Sequence, residues 1–200
     1  MNSLLRIGSL LTIAMLMIVS VNAQDFVLKT SKSTISGTSS LHDWESTITQ
    51  LDWKGAFVVE KGIITKVTSA EVTIPVVSIK STKGKMMDNK TYDAFLFEKN
   101  PNITFLLVTA QIRPEGAGQA IDASGYLTMA GMMKSIKVTG FVKVLTGGEV
   151  QLTLSKKLKM TDFKMERPTA MMGTITVGDE VTLNFDLTLA PSPASQQAKK

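Results

Sequence analysis

Acid–base catalysis is the first chemistry that the sequence suggests, through His42 and its neighbour Asp43. A histidine titrates near neutral pH, and a carboxylate that orients the imidazole can make it a general base. Adjacent residues rarely orient one another in this way, and no motif places a serine or cysteine nucleophile. We therefore expect His42 to be a turn residue, in a segment shaped by Ser40 and Asp43, whose functional role would be contact with a ligand.

Methionine offers a second chemistry, because thioether sulfurs favour Cu(I). Three adjacent pairs occur, namely Met86-Met87, Met132-Met133 and Met171-Met172. Neighbours on an extended strand point to opposite faces, so neither strand face would receive both sulfurs of a pair. We expect these flexible side chains to fill gaps or line a cavity, and we predict no metal site.

The composition excludes several other function classes. The chain has 200 residues, no cysteine and one histidine, which rules out a disulfide framework, a thiolate metal site and a multi-histidine centre. The 22 basic and 17 acidic residues give a formal charge of +5 that is spread along the chain. With only two Trp and two Tyr, the chain lacks the aromatic platforms of nucleic-acid binders. We expect neither a nucleic-acid partner nor a cofactor.

Both ends of the chain differ in composition from its middle. A basic residue, Arg6, precedes an apolar run of about 15 residues, which ends in the small-residue site Val21-Asn22-Ala23. This order is typical of a signal peptide over residues 1–23, and the run is shorter than the roughly 20 residues that span a bilayer. We therefore predict cleavage after Ala23, a periplasmic or secreted protein, and no stable membrane anchor. Residues 191–200 are polar and contain prolines, which predicts a disordered tail after a domain of residues 24–190.

Between these ends, apolar and polar residues alternate with the period of β-strands. Val181–Leu189 alternates most regularly, and Ile136–Val144 and Val150–Ser155 flank Gly147-Gly148 as a predicted hairpin. The other predicted strands are Asp25–Lys29, Thr34–Thr38, Thr47–Glu60, Ile63–Ile79, Ile103–Arg113 and Gln119–Met129.

One stretch, Thr82–Phe97, breaks this alternation and predicts a short helix that ends before Asn100-Pro101. About eight sided strands with one helical insertion favour an all-β fold, either an antiparallel barrel or a sandwich. A membrane barrel needs aromatic girdles that four Trp and Tyr residues cannot supply.

Four motifs in order resemble the YceI-like family. They are Val72–Ser81 followed by Met87-Asp88, Tyr92–Phe95 leading into Pro101–Phe105, Gly125–Lys134, and Met160–Met165 followed by Gly178–Val181. The similarity runs from about Phe26 to Ala190, and it implies a lipocalin-like antiparallel barrel that binds polyisoprenoid or related lipids. Two positions depart from the family pattern. Lys164 stands where a glycine is common, which predicts a different local backbone, and an H-D-W form occupies residues 42–44.

A lipid ligand implies a binding site on the inward faces of the strands. The predicted ligand-binding residues are Phe57, Val72, Ile74, Phe95, Phe105, Leu107, Leu127, Ile136, Val138, Leu152, Leu154, Leu183, Phe185 and Leu187, with His42 near the head group. The alternation alone favours a solid core built from these side chains, whereas the resemblance favours a cavity. Lys80, Lys85 and Lys90 are expected to be solvated lysines, and the alternative is that they attract a phosphate or a membrane surface.

Three functions remain as hypotheses. The leading hypothesis is a secreted or periplasmic protein, not an enzyme, that holds a polyisoprenoid, quinone or fatty-acyl ligand inside the barrel. The alternative is a non-catalytic envelope interaction or stress protein with a filled barrel, and an enzyme that uses His42 ranks third. The sequence leaves a homodimer open.

Overall fold

The computed structural model describes residues 23–194, most of which lie in β-strands. Within this range the strands are β1 Gln24–Ser39, β2 Trp44–Ile48, β3 Asp52–Glu60, β4 Ile63–Pro75, β5 Ile79–Ser81, β6 Asn102–Glu115, β7 Gly118–Met129, β8 Met132–Val144, β9 Val150–Lys159, β10 Thr169–Ala170 and β11 Ile175–Pro191. One α-helix, α1 (Lys85–Ala94), lies between β5 and β6. The predicted leader, apart from Ala23, and residues 195–200 of the predicted tail fall outside the described residues.

The strands close into an antiparallel barrel. Hydrogen-bonded neighbours follow the order β1-β3-β4-β6-β7-β8-β9-β11, and β11 then pairs with β1 from Phe26 to Ser39. Closure gives each of these eight strands a hydrogen-bonded neighbour on both sides. The predicted all-β barrel of about eight strands with a short helical insertion is confirmed.

The first strand is longer than the alternation predicts. β1 is continuous, whereas the sequence predicts two short strands there, and it has different neighbours along its length. Gln24–Phe26 pair with β3, and Ser33–Gly37 pair with β2, which in turn pairs with β5. β3 therefore continues the wall at one end of the barrel, and β2 with β5 continues it at the other end.

Two strands that the sequence predicts as unbroken are each interrupted by a bend. The chain leaves strand geometry between β2 and β3, and again at a 3₁₀ turn between β4 and β5. Ser78 joins the two bends, because the N–H of Thr49 donates to the Ser78 carbonyl (2.9 Å) and the Ser78 hydroxyl lies 3.0 Å from the carbonyl of Gln50. These contacts satisfy backbone groups where the ladders stop.

The end of the barrel that holds the start of β1 is packed shut. The rings of Phe26 and Phe57 meet edge to face, with centroids 5.1 Å apart, and Leu189 is fully buried. The buried amide of Gln119 accepts the N–H of Ile64 (3.0 Å) and donates to its carbonyl (2.8 Å). A polar side chain thus fills this end without an unsatisfied amide.

The opposite end of the barrel carries α1. The helix begins after Gly84, whose φ of 86° suits glycine, and it lies within the predicted stretch 82–97. The carboxylate of Asp88 accepts the N–H of Ser81 (2.7 Å) and lies 3.8 Å from the Lys80 ammonium, which fixes α1 to β5. Among the described residues no helix has the length and apolarity needed to span a membrane.

Candidate functional site

A cavity of about 280 Å³ occupies the part of the barrel nearer α1. One water needs only about 10–15 Å³ by a comparable measure, so this part of the barrel is hollow. Its walls are strand side chains, and its mouth lies between the β1–β2 turn at Leu41-His42, α1, and the segment Pro168–Ala170. The structure therefore has one packed end and one hollow end.

Most of the residues predicted to bind a ligand lie on the wall of this cavity. They are Val72, Ile74, Phe95, Phe105, Leu127, Ile136, Val138, Leu154, Leu183, Phe185, Leu187 and His42. Strand pairing brings them together, because residues opposite one another in the ladders share a face of the barrel wall. Val72 lies opposite Phe105, and Phe105 lies opposite Leu127.

Three predicted residues lie elsewhere. Phe57 and Leu152 are buried in the packed end, and Leu107 lies on β6 beside a register shift, off the cavity wall. The prediction treated each inward face as uniform along its strand. The period of a strand determines which face a residue occupies, but it carries no information on depth along the barrel axis.

Glycines let aromatic rings lie flat against the wall. A Cβ built at Gly125 would lie 2.5 Å from the ring of Phe105, and one built at Gly55 would lie 2.7 Å from the ring of Trp53. Gly37 stands in the same relation to Trp44, with 2.8 Å to the indole. Larger residues at these glycines would push the rings into the lumen.

Both tryptophans of the chain lie on the cavity wall, although neither was among the predicted residues. The indole N–H of Trp44 donates to the carbonyl of Thr38 (3.0 Å). The indole nitrogen of Trp53 is buried and has no hydrogen-bond partner among the described residues. Trp53 continues the inward alternation of β3 with Phe57, which is the signal that could have identified it.

Four methionines from three parts of the chain also reach the wall. They are Met87 on α1, Met129 at the end of β7, and Met160 and Met165 in the connection after β9. Of the three adjacent pairs only Met87 lines the cavity, whereas Met86 is 74% exposed and Met133 63% exposed. Unbranched side chains at four separate positions give this wall an adaptable surface.

His42 lies at the mouth in a turn that Ser39 organises. The hydroxyl of Ser39 donates to the His42 carbonyl (2.6 Å) and lies 3.1 Å from the His42 amide nitrogen, whose N–H it accepts. The imidazole Nδ1 lies 2.8 Å from the carbonyl oxygen of Asp43, which is a backbone atom. The imidazole is therefore in contact with a backbone carbonyl and not with the Asp43 carboxylate, so this turn does not have the arrangement of a carboxylate-oriented base. Ser40, which the sequence assigns to the turn, instead accepts the N–H of Thr176 (3.1 Å) across the mouth.

Two charged contacts support the rim from outside the cavity. The hydroxyl and the N–H of Thr161 donate to Asp179, at 2.7 and 2.9 Å, and these bonds lower the pKa of that carboxyl. The Lys80 ammonium donates to the hydroxyl of Tyr92 (2.6 Å), which raises the lysine pKa. Among the described residues no group of His, Cys, Asp and Glu is placed to hold a metal ion.

Comparison with solved structures finds the same fold. BcnA from Burkholderia cenocepacia is 22% identical, with a TM-score of 0.63 over 79% of this chain and 95% of the other. A polyisoprenoid binding domain from Saccharophagus degradans, implicated in plant cell wall breakdown, is 14% identical, with a TM-score of 0.66 over 86% and 100% of the two chains. The Campylobacter jejuni YceI protein is 22% identical, with a TM-score of 0.57 over 74% and 84%.

Sequence comparison assigns the family. No curated protein matches the chain significantly. The model of the YceI-like domain, however, matches residues 26–189, which covers all but the first two residues of β1 and the last two of β11. The resemblance read from the four motifs is therefore confirmed, and the chain belongs to the YceI-like family.

Proposed function

We propose that this protein holds a lipid with one long hydrocarbon tail, of the polyisoprenoid, quinone or fatty-acyl kind, inside the barrel. It acts in the periplasm or outside the cell, and it acts by binding rather than by catalysis. The observation that carries the proposal is the apolar cavity, which is closed at one end and open beside α1. The similarity to a polyisoprenoid binding domain supports the choice of ligand class.

Tight binding of such a lipid requires no reactive group in the protein, because apolar burial supplies the free energy. Burial of one methylene contributes about 0.8 kcal/mol, so a tail of about 15 groups contributes about 12 kcal/mol before the costs of association. A filled barrel would require Phe57, Phe105 and Phe185 to pack together. Instead, Phe57 lies in the packed end, and Phe105 and Phe185 line a void.

The direct test is to identify what the purified protein carries. We expect native mass spectrometry to show an added mass, and organic extraction to release a lipid with a long apolar tail. A folded sample that carries no lipid, and that takes up none from a mixture of isoprenoid alcohols, quinones and fatty acids after delipidation, contradicts the proposal.

The two tryptophans provide a second test, because both line the cavity. We expect an isoprenoid quinone to quench the tryptophan fluorescence of the delipidated protein in a saturable way. Val138→Phe narrows the lumen and should weaken quenching, whereas Thr139→Phe, on the exposed face of the same strand, should leave it unchanged. Equal quenching in both variants would place the quinone outside the barrel.

Export is tested separately. We expect the protein recovered from the periplasm or medium of producing cells to begin at Gln24, and intact-mass measurement reports that boundary. Retention of residues 1–23 in the mature protein would overturn the predicted cleavage after Ala23.

A further inference from the structure

The charged residues on the cavity wall are all of one sign. Lys83, just before α1, and Lys90, on α1, lie at the mouth. Lys156 lies on the wall, and His42 completes the set of basic side chains. Among the described residues that line the cavity there is no Asp and no Glu. A cavity with only cationic groups favours an anionic ligand over a neutral one.

Lys156 is the member of this set that stands on the inward face of a strand. Along β9 it occupies the same face as Leu154 and Leu158, which also line the cavity. Across the ladders it lies opposite Leu183 of β11, and Leu183 lies opposite Ile35 of β1. A half-buried lysine thus stands in an aliphatic row.

Lys156 has no ion-pair or hydrogen-bond partner among the described residues. Lys134 provides the contrast, because it stands on the inward face of the neighbouring β8 and yet lies 3.9 Å from the carboxylate of Asp162 and over the ring of Phe163. A cation among apolar side chains is costly unless an anion compensates it. The described residues supply no such anion at Lys156, so a ligand can supply it.

We propose that the cavity selects single-tailed lipids with an anionic head group, a carboxylate or a phosphate, and that the Lys156 ammonium is its counter-ion. This inference rests on the proposed lipid-binding function. The tail then extends from Lys156 toward the packed end, past Leu154, Phe185 and Leu187. Lys83 and Lys90 attract the head group at the mouth before it enters.

The test compares palmitate with palmitamide, which have the same tail and differ in head-group charge, by calorimetric titration of the delipidated protein at neutral pH. A hydrogen bond to a charged group contributes roughly 1.5–3 kcal/mol, which corresponds to a preference for palmitate of about tenfold or more. Lys156→Met should bring the two affinities within about twofold, and Lys156→Arg should retain the preference. Lys137→Met removes the same charge from the exposed face of β8 and should change nothing.

The outcomes separate this inference from the proposed function. Equal binding of palmitate and palmitamide by the unmodified protein, or a preference that survives Lys156→Met, overturns the inference while lipid binding stands. Failure of every long-chain lipid to bind overturns both. A further experiment uses inorganic phosphate and hexadecyl phosphate as competitors of palmitate. We expect only hexadecyl phosphate to compete. Competition by inorganic phosphate at the same concentration would indicate a site for free anions instead of a lipid head-group site.

Discussion

At the scale of single residues, the hollow end of the barrel depends on pairs of an aromatic ring and a glycine. Trp44 lies directly opposite Gly37 in the ladder between β1 and β2, and the indole occupies the space that a side chain at Gly37 would need. The same indole donates to the carbonyl of Thr38, so it cannot move without losing that bond. Because Gly37 has no Cβ, this ring can lie against the wall and stay out of the lumen.

Gly37→Ala should destabilise the protein by about 1–3 kcal/mol, the usual cost of overpacking a well-packed site. The added methyl would lie 2.8 Å from the Trp44 ring and 3.2 Å from the carbonyl oxygen of Glu180, so the ring or the backbone must shift. Urea unfolding measures the loss, and the fluorescence maximum reports the displaced indole. Ser36→Ala, one residue away on the same strand, serves as the control, and an equal loss in both variants would contradict this explanation.

Lys164 occupies a backbone conformation that usually belongs to glycine. Its φ of 55° and ψ of 26° lie in the left-handed region, at the end of the 3₁₀ turn 160–163, and its N–H donates to the carbonyl of Thr161 (3.0 Å). The family resemblance predicts a different backbone at this position because a lysine replaces the common glycine. The chain instead keeps the conformation that suits glycine and accepts the strain.

Lys164→Gly should stabilise the protein by about 0.5–1 kcal/mol. The left-handed conformation costs a residue with a side chain roughly 1–2 kcal/mol, and glycine avoids this cost. The larger conformational entropy that glycine loses on folding offsets roughly 0.5–1 kcal/mol of the gain. Thermal unfolding should show a rise of about 2–4 °C for 1 kcal/mol in a domain of this size. Lys164→Ala removes the same side chain but keeps the strain, so a rise of equal size in that variant would show that the side chain, not the backbone, is responsible.

At the scale of elements, the connection after β9 is attached to the beginning of β11 by one carboxylate. Asp179 accepts both the hydroxyl and the N–H of Thr161, and these bonds lower its pKa in the folded protein from an ordinary value of 3.8. A group whose pKa is lowered by folding contributes stability above its unfolded pKa. That contribution is lost as the pH falls through the lower, folded value.

The stability of the unmodified protein should therefore decrease more steeply below about pH 4 than that of Asp179→Asn. At neutral pH the variant should unfold at a lower urea concentration, and the two midpoints should converge in acid. Asp43→Asn removes an exposed carboxylate whose side chain has no such donor among the described residues, and it should follow the unmodified protein. If the unfolding free energies of the unmodified protein and Asp179→Asn fall in parallel with pH, Asp179 does not stabilise this connection.

β9 also shows why sequence reasoning predicted the barrel better than the site. Alternation identified Leu152 and Leu154 as inward, and the family motifs predicted the barrel that places them there. The predicted strand ended at Ser155, immediately before Lys156-Lys157, where the alternation of apolar and polar residues stops. The pairing with β11 continues to Lys159, so Lys156 joins the inward row. Burial of a charged residue depends on this long-range pairing, which local hydrophobicity does not encode.

At the scale of the whole molecule, the barrel divides stability and binding between its two ends. β1, β9 and β11 run from the packed end to the hollow end, so the same strands serve both. Side chains in the packed end are almost fully buried, as Phe26, Phe57 and Leu189 are, and the rings of Phe26 and Phe57 meet. Side chains of the hollow end already border empty space, so each has fewer packing contacts. Truncating one of them therefore loses fewer contacts than truncating a side chain in the packed end.

Leu152 and Leu154 make this division testable with one residue type on one face of one strand. Leu152 is 5% exposed in the packed end and lies opposite Leu187, whereas Leu154 lies on the cavity wall opposite Phe185. Leu152→Ala should cost about 2–5 kcal/mol of unfolding free energy, as for other buried leucines, with little effect on the affinity of the remaining folded protein for palmitate. Leu154→Ala should cost less than Leu152→Ala, because Leu154 is only half-buried beside the void and has fewer contacts to lose, but it should weaken palmitate binding severalfold through lost contact with the tail. Urea unfolding and calorimetric titration of both variants measure the two effects, and equal losses of stability would mean that the cavity wall supports the fold as strongly as the packed end does.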